Sequence, residues 1–293
     1  MPLPSSLVGT SSPSIEHDVD ARWLMAYAAG VGDANPCYLD TTTELSCHPV
    51  FPVCLEWPAI LASRDDAADS ALSRDEASRG VHAGHDLLIH RLPRADERTQ
   101  TTATTVSIAP SRAGAVQVLR LDTTESGGEL LCQTWQTTIF RGVDVDGDAP
   151  GIDTPPARPE PSGESIDHVV TRSVGAQAAH VYTECARIWN PIHTDRAVAH
   201  AAGLAEIILH GTATLAYAIT EIVNRYASAD PSRVKRLGGD FRAQVFMPST
   251  IGIRMHDRTN DAGDGLVTFS VATADGEDAI RSGYVVLEGG SDE

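Results

Sequence analysis

Two Asn-Pro steps occur in similar settings in this chain of 293 residues, one near the N-terminus and one beyond the midpoint. Residues 32–40 read Gly-Asp-Ala-Asn-Pro-Cys-Tyr-Leu-Asp, and residues 189–196 read Trp-Asn-Pro-Ile-His-Thr-Asp-Arg. Proline has no N–H and pushes the preceding residue out of the α region, so each step ends an apolar, helix-like run at a fixed place. Short polar side chains are then exposed at the helix end. Two such copies indicate an internal duplication.

The two copies have kept different polar residues. The first copy has Asp33, but Tyr38 stands where the second copy has a histidine. The second copy has His193, but Ile188 stands where the first has its aspartate. A function that needs both an aspartate and a histidine would therefore have to take Asp33 from one half and His193 from the other, or replace one of them.

Length and composition indicate a globular protein with an ample core, in one large domain or two ordinary ones. No uncharged apolar run reaches about 18 residues, which argues against a membrane span. The N-terminal residues lack a basic region followed by an apolar stretch, which argues against a signal peptide. The five cysteines form no close metal-ligand pair, and their odd number fits no closed disulfide framework. We therefore expect a reducing, cytoplasmic compartment.

The formal charge of −18 argues against nucleic acid as a partner, because binding phosphate backbones requires a basic surface. We interpret the acidity as a contribution to solubility. Lys235 is the only lysine, and every other fixed positive charge is an arginine. If the ligand is an anion, a few local clusters of these residues must recognise it.

A segment rich in proline, glycine and aspartate, residues 143–164, divides the chain into two halves of similar pattern. We expect one domain over residues 1–142 and a second over residues 165–293. In the first half the patterns predict helices at 21–30 and 57–77, and strands at 85–92, 101–108, 115–122 and 129–140.

The second half repeats this order of elements. The patterns predict a strand at 168–174, helices at 176–187 and 212–226, and strands at 233–246, 250–257, 266–274 and 279–287. A long helix followed by an antiparallel meander, found twice, indicates an α+β fold in which each sheet wraps its own helix.

Residues 187–195 (Arg-Ile-Trp-Asn-Pro-Ile-His-Thr-Asp), followed by residues 207–211 (Ile-Ile-Leu-His-Gly), resemble the signature of MaoC-like (R)-specific enoyl-CoA hydratases and dehydratases. That signature reads Gly-Asp-x-Asn-Pro-aliphatic-His-x-Asp, and its Ile-Leu-His-Gly opens a central helix. Residues 29–36 and 80–82 are similar to the dehydratase half that precedes MaoC domains in double hotdog proteins. The resemblance covers nearly the whole chain.

The resemblance implies a double hotdog fold, with two hotdog folds in one chain packed as a pseudo-dimer. It implies acyl thioesters of coenzyme A as substrates and a hydro-lyase activity between a 2-enoyl-CoA and a 3-hydroxyacyl-CoA. The C-terminal half would then be catalytic, and the N-terminal half structural or substrate-binding. No phosphate-binding loop and no metal-ligand spacing occur in the sequence, so we expect neither a metal nor a redox cofactor.

The chain departs from the family at the residues that carry the chemistry. In the family, the aspartate two residues before the asparagine and the histidine three after it activate one water together. Here Ile188 occupies the aspartate position of the C-terminal half, and Tyr38 occupies the histidine position of the N-terminal half. Neither half has the complete pair.

Hydration of an unsaturated thioester requires a base, an acid and a donor for the enolate-like oxygen. His193 suits one proton-transfer role, because its unperturbed pKa is near neutrality. The Gly211 N–H, at the start of a long apolar helix, suits the oxyanion. Asn190 could orient a water or the His193 ring. The alternative for His193 is a helix-end residue bonded locally to Asp195.

Three explanations remain open for the missing acid. Glu184 lies one helical turn before Ile188 and could reach toward His193, or it could simply face solvent. Asp33 could act across the interface between the halves, or it could be a turn residue bonded to its own backbone. In the third, His193 works alone or the protein no longer hydrates.

Basic residues near 233–242 are the densest positive cluster in the chain: Arg233, Lys235, Arg236 and Arg242. They could bind the phosphates of coenzyme A through charge-assisted hydrogen bonds, or they could form an ordinary solvated face. Two other functions remain alternatives to a hydratase: a catalytically silent acyl-CoA-binding partner, and an acyl-CoA thioesterase. A homodimer, or a heteromer with another hotdog subunit, is the assembly we expect.

Overall fold

A computed structural model of the protein describes residues 1–68, 72–160, 162–259 and 265–288. The elements of the N-terminal half are listed here in chain order. They are β1 (Leu3–Pro4), β2 (Ile15–Val19), α1 (Ala21–Gly30), α2 (Pro36–Leu39), α3 (Pro52–Ala68), α4 (Arg74–Ser78), β3 (Gly80–Ile89), β4 (Glu97–Ser111), β5 (Gly114–Glu125), β6 (Leu130–Arg141) and β7 (Val145–Asp146).

The C-terminal half repeats the same succession of elements. They are β8 (Ser162–Val174), α5 (Ala178–Ala186), a 3-10 turn (Pro191–His193), α6 (Arg196–Ala201), α7 (Gly211–Tyr226), β9 (Val234–Phe241), β10 (Ser249–Thr259), β11 (Gly265–Ala272) and β12 (Asp278–Leu287). The alternation of helices with an antiparallel meander confirms the predicted fold class.

One sheet of ten strands joins the halves in the order β2-β4-β5-β6-β3-β9-β12-β11-β10-β8. Each strand that the first half contributes to this sheet has a counterpart in the second, since β2-β4-β5-β6-β3 and β8-β10-β11-β12-β9 are the same order counted from the two outer edges. Strands β3 and β9 meet in the middle as an antiparallel pair, with Asp86 opposite Gly238 and Leu87 opposite Leu237. The order of strands supports the internal duplication predicted from the two Asn-Pro steps.

Each half of the sheet packs against its own long helix. Helix α7 contacts β10, β11 and β12, and its residues from Ala213 to Ile219 are almost entirely buried. Helix α3 contacts β2, β4 and β5. Helices α1 and α5 pack against each other. The two Asn-Pro turns lie near opposite ends of α7, since Asn35 donates to the Ala229 carbonyl after its last turn and Asn190 lines a cavity with Gly211 at its first residue.

The structure corrects the predicted bounds of several elements, including one long helix and the strand that follows α7. The helix predicted over 57–77 begins at Pro52, ends at Ala68, and is followed by α4, which a Ser73–Glu76 capping box starts. A start at residue 57 would place Pro58 in the first turn, where its missing N–H is unimportant. Burial of the apolar residues before it favours the earlier start. The strand predicted over 233–246 ends at Phe241.

The proline-rich segment between the halves is held to the body of the protein. Its Asp153 accepts hydrogen bonds from Arg120 and from the Trp135 indole, and Arg236 donates to the carbonyls of Pro156 and Ala157. The division into domains at residues 143–164 stays a prediction. No helix in the described part of the chain is long and apolar enough to cross a membrane.

Candidate active site

A cavity of about 240 Å³ lies between the two halves of the chain. On the N-terminal side it is lined by one stripe of α3 and by residues of β3 and β6. On the C-terminal side it is lined by the turn before His193, the start of α7 and the segment that follows β9. The residues around it that carry functional groups include Glu56, His82, His85, Gln136, Asn190, His193, His210 and Gly211.

His193 lies in this cavity in a defined tautomeric form. Asn190 caps the 3-10 turn, with its Oδ1 accepting from the Ile192 N–H, so the turn presents His193 at its last position. The His193 Nδ1 lies 2.8 Å from the Ile208 carbonyl oxygen, and a carbonyl can only accept. Nδ1 therefore carries the hydrogen, and Nε2 keeps a free lone pair. Burial lowers the pKa of His193 to about 4, although the bond to Ile208 opposes that shift.

His210 packs flat against His193, with the ring centroids 3.6 Å apart. Its Nε2 lies 3.3 Å from the Thr183 hydroxyl, and its Nδ1 has no hydrogen-bond partner among the described residues. Burial, and then the neighbouring His193, lowers the pKa of His210 well below its usual value. Both rings are therefore neutral at neutral pH. The local bond between His193 and Asp195 considered from the sequence is not formed, because Asp195 caps α6 instead.

Gly211 is the first residue of α7, where the helix dipole favours negative charge. None of the described residues accepts a hydrogen bond from its N–H. A Cβ at this position would lie 3.1 Å from the Phe241 ring, closer than ordinary packing allows. A larger residue would therefore require the Phe241 ring to shift, and the glycine leaves a free N–H at the positive end of a helix in the cavity wall.

The two predicted substitutes for the missing aspartate lie elsewhere. Ile188 is buried in the cavity wall, whereas Glu184 is exposed on α5 and is absent from the described lining of the cavity. Asp33 is buried, but its Oδ1 accepts from the Asn35 N–H and it, too, is absent from that lining. The negative charge of Asp33, after burial, raises the pKa of Tyr38. Asp33 and His193 are thus not brought into one cavity.

The sequence interpretation missed a carboxyl group that the cavity does contain. Glu56 lies on α3, is 1% exposed, and accepts a hydrogen bond from the Thr134 hydroxyl. Burial raises its pKa to about 7, against the opposing effect of the Thr134 bond. The available signal was a single acidic residue within the apolar run Val-Cys-Leu-Glu-Trp at residues 53–57.

The N-terminal side of the cavity also carries several polar side chains. His85 on β3 is 1% exposed, and neither of its ring nitrogens has a partner among the described residues. Its neighbour His82 packs against Phe241, with ring centroids 4.7 Å apart. Burial lowers the pKa of His85 to about 4 and of His82 to about 3. Gln136 and Thr138 extend this polar wall along β6.

Of the four cations predicted to bind phosphate, Arg242 alone is among the described residues lining the cavity. Arg236 forms a buried, two-point ion pair with Asp86, with contacts of 2.9 and 2.8 Å. Lys235 pairs with the Glu288 carboxylate, and Arg233 donates to the Glu288 carbonyl. Two further cavity residues, Arg64 and Arg141, were not singled out in the sequence.

No group of three or more histidine, cysteine or acidic side chains in the described ranges could hold a metal ion. The expectation that the reaction needs no metal or redox cofactor stays a prediction. What the cavity does offer is general acid–base chemistry: a neutral imidazole with a free lone pair, a buried carboxyl group and a free helix N-terminal N–H.

Two half-sheets, each wrapped around a long helix and joined through β3 and β9, define a double hotdog protein. Its polar cavity lies between the halves. Residues 158–277 match the family model described as "MaoC like domain".

Two curated relatives are similar to this chain. The peroxisomal multifunctional enzyme type 2 of Mus musculus is 26% identical over 282 residues, covering 92% of this chain and 38% of the relative. The peroxisomal enoyl-CoA hydratase 2 of Arabidopsis thaliana is 27% identical over 188 residues, covering 60% of this chain and 58% of the relative. The chain thus matches less than two thirds of the length of either relative.

A solved structure agrees in fold over almost the full length of both chains. The crystal structure of a MaoC-like dehydratase from Phytophthora capsici has a TM-score of 0.79 and 20% identity, and it covers 95% of this chain and 96% of that one. Because both curated relatives are named as peroxisomal, the cytoplasmic compartment stays a prediction.

Proposed function

We propose that this protein is a hydro-lyase that interconverts a 2-enoyl-CoA and a 3-hydroxyacyl-CoA. The observation that carries the proposal is the position of His193 and Gly211 in one cavity. The imidazole has a free Nε2 lone pair, and the glycine offers an N–H at the start of α7. An enoyl-CoA hydratase among the relatives supports the same reaction class.

In the proposed reaction, His193 takes a proton from the attacking water through Nε2 as the water adds to Cβ. The electron pair of the Cα–Cβ double bond moves toward the thioester oxygen, which becomes enolate-like. The Gly211 N–H donates a hydrogen bond to that oxygen, where the positive end of α7 further stabilises the negative charge. Asn190 holds the turn that carries His193, so we assign it a positioning role.

For the phosphates of coenzyme A, we propose Arg242 as the main contact, with Arg64 and Arg141 as additional candidates. All three line the cavity. Arg242 has an ion pair with Asp240 at 3.6 Å and donates a hydrogen bond to the Phe241 carbonyl. Arg233, Lys235 and Arg236 are weaker candidates for the role predicted from the sequence, because they are absent from the described lining of the cavity.

The replacement of the family aspartate by Ile188 favours one alternative, a silent acyl-CoA-binding partner that works with a second hotdog subunit. The two proposals differ in turnover. The test follows the absorbance of the conjugated thioester with purified protein and 2-enoyl-CoAs of short, branched and bulky chains. Loss of absorbance, with a 3-hydroxyacyl-CoA as product, supports the hydro-lyase; saturable binding without turnover supports the silent partner.

The same assay includes a thiol reagent and a saturated acyl-CoA to detect thioester hydrolysis. Release of free coenzyme A from the saturated substrate would identify a thioesterase and contradict the hydro-lyase. A parallel measurement of molar mass in solution tests whether the protein forms the expected homodimer or requires another subunit.

A further inference from the structure

We propose that Glu56 takes the place of the missing aspartate and delivers the proton to Cα of the enoyl thioester. The inference rests on the proposed hydro-lyase function and goes beyond it, since it assigns a second catalytic residue. That residue comes from the opposite half of the chain, on a helix that the Asn-Pro motifs do not reach. Glu56 and His193 would then act from opposite walls of one cavity.

Helix α3 presents Glu56 to the cavity as part of a regular stripe. Val53, Glu56, Trp57 and Ile60 line the cavity and follow the spacing of one helix face, and Arg64 continues the stripe. The exposed fraction of Glu56 is 1%, so its carboxyl group lies inside the protein. It is the one carboxyl-bearing residue in the described lining of the cavity.

A purely structural role explains this carboxyl group poorly. A buried carboxylate is normally compensated by a cation, because transferring the charge from water is costly. Among the described residues, no arginine, lysine or histidine is a partner of Glu56, and no cation contributes to its pKa. Its single described hydrogen bond comes from Thr134 to Oε1. Oε2 therefore remains to carry a proton into the cavity.

The ionisation of the two groups matches the proposed roles. Burial raises the pKa of Glu56 to about 7, and burial lowers the pKa of His193 to about 4. Between these values, His193 is a neutral base and Glu56 holds a proton that it can give up. A general acid is effective when its pKa lies near the working pH.

The proton transfers balance in both directions. In hydration, a water O–H bond breaks as the oxygen bonds to Cβ, and the proton goes to His193 Nε2. The enolate then forms a Cα–H bond with the proton of Glu56, which becomes a carboxylate. Proton exchange through solvent returns His193 and Glu56 to their starting forms. In dehydration, the Glu56 carboxylate removes the Cα proton, and protonated His193 donates to the leaving hydroxyl.

The test compares the pH dependence of kcat/KM for the wild type and Glu56→Gln, which keeps the shape but cannot ionise. We expect kcat to fall by about 100-fold or more in Glu56→Gln. The wild-type rate should decline as pH rises through about 7, where Glu56 loses its proton, and this alkaline decline should disappear in the variant. The exposed Glu160→Gln is the matched control and should keep the wild-type rate and profile.

A second variant separates catalysis from folding. Thr134→Val removes the hydrogen bond that holds the pKa of Glu56 down, so the alkaline decline should move to higher pH. Urea unfolding shows whether each variant is folded under assay conditions. A folded Glu56→Gln with the wild-type rate and profile, or an unmoved decline in Thr134→Val, would overturn the role of Glu56 alone. Absence of turnover by the wild-type protein would overturn the proposed function as well.

Discussion

The imidazole rings of His193 and His210 stack with their centroids 3.6 Å apart and their planes inclined by 25°. Two rings this close cannot both carry a positive charge without strong repulsion, since burial leaves little water to screen them. Burial and the neighbouring His193 lower the pKa of His210, so His210 stays neutral beside His193. It also fixes the plane of the His193 ring, while Ile208 fixes its tautomer.

Replacing His193 by alanine should reduce hydratase turnover by about 100- to 10,000-fold, the usual contribution of a general base. The turn that carries His193 is capped by Asn190, so the variant should remain folded. Turnover is measured from the absorbance of a 2-enoyl-CoA. His200→Ala removes an exposed histidine on the neighbouring α6 and serves as the control. Equal activity of both variants would rule out a catalytic role for His193.

Replacing Gly211 by alanine should lower kcat more than it changes KM. The new Cβ would lie 3.1 Å from the Phe241 ring, so either the ring or the start of α7 must shift. Displacement of an oxyanion donor typically reduces kcat by about 100- to 1,000-fold. Gly252→Ala is the control, since a Cβ on that β10 residue meets no atom within 4 Å. Comparable kcat values for the two alanine variants would contradict the oxyanion role.

His48 should make the fold sensitive to acid. It lies between the halves, with Nδ1 accepting from the Val50 N–H and Nε2 3.2 Å from the Thr220 hydroxyl. Burial lowers its pKa from 6.5 to about 3. Below pH 6.5 the unfolded chain therefore binds a proton that the folded chain excludes, and stability falls as pH drops from about 6.5 toward 3.

His48→Asn should remove this contribution while keeping an acceptor for Val50. The free energy of unfolding, from urea titrations between pH 6 and pH 4.5, should depend on pH less steeply in the variant. The expected difference in slope is about 1.4 kcal/mol per pH unit, the value for one additional proton bound by the unfolded chain. The exposed His200→Asn should leave the slope unchanged. Parallel curves for the wild type and His48→Asn would show that His48 does not titrate as its burial implies.

Replacing Arg236 should reduce the stability of the fold, whereas replacing Arg242 should weaken substrate binding. Arg236 is paired with Asp86 at two points and is 10% exposed, so Arg236→Met should lower the free energy of unfolding by about 3–5 kcal/mol. Arg242→Met should raise KM for an acyl-CoA with a stability change under about 1 kcal/mol, because its ion pair is exposed.

An acyl-pantetheine substrate, which lacks the adenine nucleotide, provides the control for Arg242. If Arg242 binds the nucleotide phosphates, KM for this shorter thioester should be the same in the wild type and in Arg242→Met. An increase in KM for both substrates would place Arg242 against the acyl or pantetheine part instead. Wild-type stability of Arg236→Met would contradict the structural role given to its ion pair.

Much of the fold follows from the sequence, because regular alternation and Asn-Pro steps are local signals. Helix α1 lies where the pattern predicts it, and α7 starts one residue before its predicted bound. The short strand β2 and the one-and-a-half-turn helix α6 were missed, since five or six residues carry too little periodicity. Helix α3 begins five residues before its predicted bound, at Pro52.

The candidate site was predictable only on its C-terminal wall. His193 and Gly211 belong to two short stretches of one sequence signature, whereas Glu56, His82 and His85 reach the cavity only through packing of one half against the other. The pairing of β3 with β9 creates that wall, and it depends on contacts more than 140 residues apart in the chain. Arg236 shows the opposite case. The sequence suggests a phosphate ligand, but the ion pair with Asp86 indicates a structural role.

The two-fold arrangement of hotdog halves within one chain has a genetic consequence. In a dimer of identical subunits, every substitution enters both copies, so a residue that benefits one site can damage the other. Here α3 and α7 are encoded separately, and α3 carries the buried acid Glu56 while the buried residues of α7 include no acid. Fusion lets selection act on each half alone. The loss of the aspartate at Ile188 in one half could then be offset by a mutation in the other.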